Sequence, residues 1–146
     1  MSNPTNGAVR IVAVFDAAQD RNSLRRIFRA FRWQGEFVES CDRLPHALEE
    51  FRPDVVLTDA ALTGGKSWRD VLRTAQERHA APPVIVSSRL ADERLWAEVL
   101  NLGGYDLLMA PFRAREVRHV VTMAYRSRDN ARATPMICSA AGVMAG

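Results

Sequence analysis

Apolar runs and amphipathic stretches alternate five times along this chain. Val9–Phe15 (VRIVAVF) is β-branched and mostly apolar, which predicts a buried strand. Between Asn22 and Trp33, Leu24, Ile27, Phe28 and Phe31 fall at i, i+3, i+4 and i+7, the stripe of an amphipathic helix, and Gly35 is expected to end it. Glu36–Ser40 is a short second strand. Leu44, Ala47, Leu48 and Phe51 form a second helical stripe that Pro53 closes. Asp54–Asp59 (DVVLTD) is the third strand, and residues 60–66 (AALTGGK) form a loop with two glycines. Trp68, Val71, Leu72 and Ala75 line a third helix, and Pro82-Pro83 break the chain before the strand Val84–Ser88. Leu95, Val99, Leu100 and Leu102 suggest a fourth helix ended by Gly103-Gly104. Tyr105–Met109 is the fifth strand, and Ala114–Arg126 the last helix, with Val117, Val120, Val121 and Ala124 inward.

Strands that alternate with helices give a parallel sheet covered on both faces. Handedness rules leave few topologies, and for five units the natural one is a doubly wound, flavodoxin-like α/β order. Ligand chemistry in such sheets gathers at the carboxyl ends of the strands, here Phe15–Ala18, Asp59–Ala61, Ser87–Arg89 and Met109–Phe112. The expected organisation is a loose lead at residues 1–8, one domain over 9–127, and a tail over 128–146. From Thr134 that tail is small, weakly apolar and uncharged, which reads as an end that is disordered or ordered only by a partner, or as an expression remnant.

Composition changes this picture little. The 146 residues suit one domain, and 47% hydrophobic with 25% charged residues is an ordinary globular balance. No stretch approaches the roughly 20 apolar residues of a membrane helix. The first ten residues lack a signal-peptide apolar core, and Cys41 and Cys138 have no framework spacing, so a reduced, cytoplasmic protein is expected. Of the 20 basic residues, only Lys66 is lysine. A net charge of +3 raises the question of an acidic or nucleic-acid partner without answering it. His46, His79 and His119 have no metal-ligand spacing, and Trp33, Trp68 and Trp96 read as packing or interface residues.

Four segments in order carry a family resemblance: IVAVFD, DVVLTD with its glycine loop, PPVIVSS, and GGYDLLMAPF. Together, over residues 9–126, the chain resembles the receiver domain of bacterial response regulators. The resemblance implies a signalling module rather than an enzyme, phosphorylated on an aspartate by a sensor histidine kinase or phosphotransfer protein. It implies Asp59 as the phosphoacceptor. A Mg²⁺ ion would be held by Asp16, Asp59 and the backbone carbonyl of Ala61, and Ser88 would be the hydroxyl that answers phosphorylation. The family's dimer route, through helix four, strand five and helix five, is open to this chain.

Three family positions are lost. The first member of the acidic pair is Phe15, the phosphate-binding lysine is Ala110, and the switch aromatic is Leu107. Phosphoryl transfer to a carboxylate gathers anions and needs cations among them. Losing one acid and the lysine therefore implies weak Mg²⁺ binding and incomplete charge stabilisation. Arg89, where the family has a small residue, could reach Asp59 or its phosphate, and Lys66 could swing back from the loop.

Two other readings stand beside this one. Ala60–Ser67 (AALTGGKS) loosely matches a phosphate-binding P-loop with Ala60 for its first glycine, but Asp59 would set a negative charge beside the phosphates. A phosphorylation-independent interaction module on the same fold would explain Phe15, Leu107 and Ala110, and would act on an unidentified downstream protein. Arg25, Arg26, Arg29 and Arg32 on the first helix, and Arg113, Arg115, Arg118, Arg126 and Arg128 on or beside the last, could form one basic surface; a solvated face is the simpler expectation. No helix-turn-helix segment follows residue 126, which argues against sequence-specific DNA reading.

Overall fold

The computed structural model describes residues 8–90 and 92–133. Five parallel strands, β1 (Arg10–Val14), β2 (Gln34–Val38), β3 (Val55–Asp59), β4 (Val84–Ser88) and β5 (Asp106–Met109), lie in the order β2-β1-β3-β4-β5. Five helices connect or follow them: α1 (Ala18–Ala30), α2 (Leu44–Phe51), α3 (Trp68–Gln76), α4 (Glu93–Asn101) and α5 (Ala114–Ala133). This is the doubly wound α/β architecture expected from the alternation of apolar periods.

Strand alternation sorts the core into two layers. Ile11, Ala13, Val55, Leu57, Ile85 and Leu108 face Leu24, Ile27 and Phe28 of α1 and Val117, Val121 and Ala124 of α5. Val12, Val14, Val56, Val84 and Val86 face Leu44 and Leu48 of α2, Val71 and Leu72 of α3, and Val99 of α4. The first and last helices thus share one side of the sheet.

Local chemistry sets the helix ends. Ser67 and Asp70 form a reciprocal capping box at the start of α3, and Asp92 caps α4 by accepting from the Leu95 amide at 2.8 Å. Pro45 sits in the first turn of α2, where its missing N–H leaves no helical bond unmade.

Several elements differ from the sequence expectation. Helix α1 starts at Ala18, a turn earlier than its apolar stripe, because its first turn carries only Asp20 on the buried side. Gly35 does not end that helix but lies in β2, paired with Ile11. A Cβ there would stand 2.6 Å from the Phe28 ring, so glycine lets α1 close on the sheet edge. Leu100 and Leu102 are exposed; α4 buries only Val99. Helix α5 runs on to Ala133, well past Arg126, and Arg128 donates to the backbone carbonyls of Pro53 and Ala80. Cys41 is buried, while Cys138 and the tail from Thr134 lie outside the described residues.

Candidate functional site at the carboxyl ends of the strands

The topology brings the ends of β1, β3, β4 and β5 together on one edge. Asp59 is the last residue of β3 and pairs in register with Ser87 of β4. Its side chain is half buried, and burial pushes its pKa above the ordinary aspartate value. The backbone amides of Ala60 and Ala61 pull the pKa down, while the charges of Asp20 and Asp16 push it up.

Asp16 follows β1 and accepts a hydrogen bond from the Thr63 amide at 2.8 Å, tying the β1 end to the loop after β3. That loop turns back on itself through an antiparallel bridge between Ala61 and Ser67. The bridge bonds run from the Trp68 amide to the Ala60 carbonyl and from the Leu62 amide to the Lys66 carbonyl, so they leave the Ala61 carbonyl outward. The same bonds bear on the P-loop reading. The amides of Leu62, Thr63, Lys66 and Ser67 are spent on Lys66, Asp16, Thr63 and Asp70, and no cradle of free amides remains among them. The charge of Lys66 lowers the pKa of Asp70 and acts against the rise at Cys41, and no ion pair joins Lys66 to Asp59 among the described residues.

Phe15, Ala110 and Leu107 serve packing. Phe15 is fully buried and meets Phe112 edge-on, with ring centroids 5.8 Å apart. Ala110 is buried, and Leu107 is half buried against the α2–α4 layer. Ser88 accepts from the Leu90 amide at 3.0 Å, capping the turn that follows β4.

Arg89 does not pair with Asp59. One guanidinium N–H instead donates to Asp20 at 2.9 Å. Asp20 is the residue that sequence reasoning missed. It sits in the first turn of α1 and is 7% exposed, the one buried carboxylate among the described residues. A signal for it existed: Asp20 lies four residues before Leu24, on the same stripe as Ile27 and Phe28. A charge on a core-facing stripe marks a group that must find a partner.

The fold with its acidic edge can be set beside known structures. The signal receiver domain of a putative LuxO repressor protein from Vibrio parahaemolyticus superposes with a TM-score of 0.78, at 17% identity, over 87% of this chain and 97% of that one. This chain has the receiver-domain fold. A CheY-like receiver domain protein from Methanospirillum hungatei is similar over 85% of this chain and 98% of its own, with a TM-score of 0.74 and 16% identity. NtrX from Brucella abortus matches 89% of this chain with 29% of its own, with a TM-score of 0.80 and 21% identity. No family model matches the chain, and no curated protein sequence does. At such identities the likeness is one of receiver fold.

Among the described residues no helix is long and apolar enough to cross a membrane, and no group of three or more His, Cys, Asp or Glu is arranged to hold a metal ion. The smaller set of two carboxylates, from Asp16 and Asp59, and the Ala61 carbonyl still offers only hard oxygen donors, the chemistry Mg²⁺ prefers.

Proposed function

We propose that this chain is an atypical receiver in two-component signal transduction, with Asp59 as phosphoacceptor, acting through protein contacts. The observation that carries the reading is the half-buried Asp59 at the end of β3, in the electrostatic field of Asp16 and Asp20. A carboxylate at the carboxyl edge of a doubly wound sheet is where ligand chemistry concentrates. In the transfer, the N–P bond of a phosphohistidine on a kinase or phosphotransfer protein breaks and an O–P bond to Asp59 forms; the departing ring nitrogen keeps the bond's electron pair while the other ring nitrogen takes a proton from solvent, so the imidazole leaves neutral.

Asp16, Asp59 and the Ala61 carbonyl would hold Mg²⁺, weakly, since Phe15 supplies no second acid beside Asp16. When bound, Mg²⁺ offsets the negative charge that gathers as a phosphoryl group meets carboxylates. Asp16 also holds the Thr63 amide, so it can position the loop carrying Ala61. Ser88 would give up its bond to the Leu90 amide to face the phosphoryl oxygens.

The second reading, an interaction module independent of phosphorylation, is favoured by Phe15, packed in the apolar layer of α1 and α5, and by Ala110, which is also buried. Its docking region would be the side formed by α4, β5 and α5, which carries Trp96, Leu100, Met109 and Met123 exposed, and a homodimer or a downstream protein could cover it. The basic surface on α1 and α5 is a weaker candidate. Arg25 covers Phe37, Arg118 covers Phe31, and Arg128 is engaged with backbone carbonyls.

Beryllofluoride, which mimics a phosphoryl group on a carboxylate, separates the two. In amide NMR with Mg²⁺ present, saturable shifts at Asp16, Asp59 and Ser88 that vanish in Asp59→Asn are expected of a phosphoacceptor. An unchanged spectrum at excess beryllofluoride would leave the interaction module.

A further inference from the structure

A carboxylate as buried as Asp20 needs a compensating partner. Its partner comes from a distant part of the chain: Arg89, sixty-nine residues on, in the turn after β4. The pair therefore ties the first turn of α1 to the β4–α4 turn across the edge that Asp59 occupies. Arg89 starts two residues after Ser87, the register partner of Asp59. Its side chain is 56% exposed and makes the bond through one terminal nitrogen, so the guanidinium can move without breaking packing. Its fork of five donors suits a phosphoryl group better than a single carboxylate oxygen. No lysine stands at Ala110 to serve that group.

We propose that the Asp20–Arg89 pair is an exchange latch. Asp20 holds Arg89 in reserve, and a phosphoryl group on Asp59 takes the guanidinium over. The proposal rests on the reading of Asp59 as phosphoacceptor and names the cation that completes that site. A dianionic phosphoryl group attracts Arg89 more strongly than the carboxylate does and leaves Asp20 unpaired beside Asp16 and Asp59. Repulsion then releases the first turn of α1 from the β4–α4 turn. The signal so generated passes to α1 and α4, whereas a lysine after β5 would have carried it to β5.

The test uses the full chain with Mg²⁺ and beryllofluoride in four forms: wild type, Arg89→Ala, Asp20→Asn and the double variant. Nitrogen-edited NMR follows the Arg89 Nε–H signal and the amides of Asp20 and Asp59, and spectral dispersion confirms folding. In the wild type, beryllofluoride should move both the Arg89 side-chain signal and the Asp20 amide. Arg89→Ala should weaken the apparent affinity by about tenfold, the scale of one charge-assisted hydrogen bond. Asp20→Asn should strengthen it, and by more when Arg89 is present than when it is absent. If the two single variants shift affinity in the same direction, the pair is a structural tie only and the latch is wrong. An equal gain from Asp20→Asn in both backgrounds would mean that Asp20 acts by its charge alone, and would overturn the latch as well. Normal binding with an unmoved Arg89 signal overturns the latch and leaves the phosphoacceptor standing. No binding in either the wild type or Asp20→Asn overturns the phosphoacceptor reading, and the latch falls with it.

Discussion

Asp59 bears a cost that its neighbours impose. Burial raises its pKa first, and the charges of Asp20 and Asp16 add to the shift against the pull of the Ala60 and Ala61 amides. A carboxyl whose folded pKa lies above its unfolded value binds its proton more tightly in the native state. Stability therefore falls as pH rises from the ordinary aspartate value through the folded one, and the penalty is complete above it. Asp59→Asn cannot ionise, so it should melt at a higher temperature than the wild type at neutral pH. That advantage should fade as pH falls through the folded pKa and be gone below the unfolded value, at about pH 4. Melting curves of both proteins across that range check it; an advantage that persists in acid would contradict the assignment of the cost to ionised Asp59. At this scale the sequence exposed Asp16, Asp59 and Ser88 through their places at strand ends. It did not bring out Asp20, because the apolar stripe was read only from Asn22, which left Asp20 outside the expected helix, whereas α1 starts at Ala18 and carries Asp20 on its buried side.

The helices differ in how firmly they are held. Helix α3 buries Trp68, Val71, Leu72 and Ala75 and begins with a capping box, whereas α4 buries only Val99. Asp92 caps α4, and the Trp96 indole N–H donates to Asp106 at 3.2 Å, but these are surface bonds. Local stability follows the apolar contacts an element makes. Amide hydrogen exchange should therefore show protection in α4 about tenfold or more below that in α3. Equal protection would mean that something other than burial holds α4. The 3.6-residue period of Leu95, Val99 and Leu102 predicted a helix here and found one, but periodicity cannot say whether its apolar side meets the sheet. Helix α4 is also one of the two elements the proposed latch would free, and a weakly anchored helix costs little to move.

Over the whole molecule, long-range ties decide where the domain stops. Arg128 reaches from α5 to carbonyls that follow α2 and α3, closing the end of the sheet opposite Asp59. The sequence expectation placed this residue in the tail. A hydrogen bond from a charged donor to the partly buried Pro53 carbonyl contributes measurably, so Arg128→Ala should lower the unfolding free energy by about 1 kcal/mol. Urea denaturation would read this as a lower midpoint at unchanged slope. A midpoint equal to the wild type would show the contact to be dispensable. The two sheet layers themselves were legible in advance, since β-branched runs punctuated by amphipathic stretches admit few other packings.

The sequence by itself determined the number and order of the elements, the two-layer core and the cluster of strand ends that carry Asp16, Asp59 and Ser88. Each of these follows from local periodicity and from the handedness of parallel connections. Only the tertiary structure decided who partners whom across that edge. It paired Arg89 with Asp20 instead of Asp59, tied Asp16 to the Thr63 amide and Arg128 to the carbonyls of Pro53 and Ala80, and set Phe15 against Phe112. Such contacts join residues far apart in sequence, and their geometry depends on how α1, the turns and the strands settle against one another. No window along the chain holds both partners, so no local pattern could announce them.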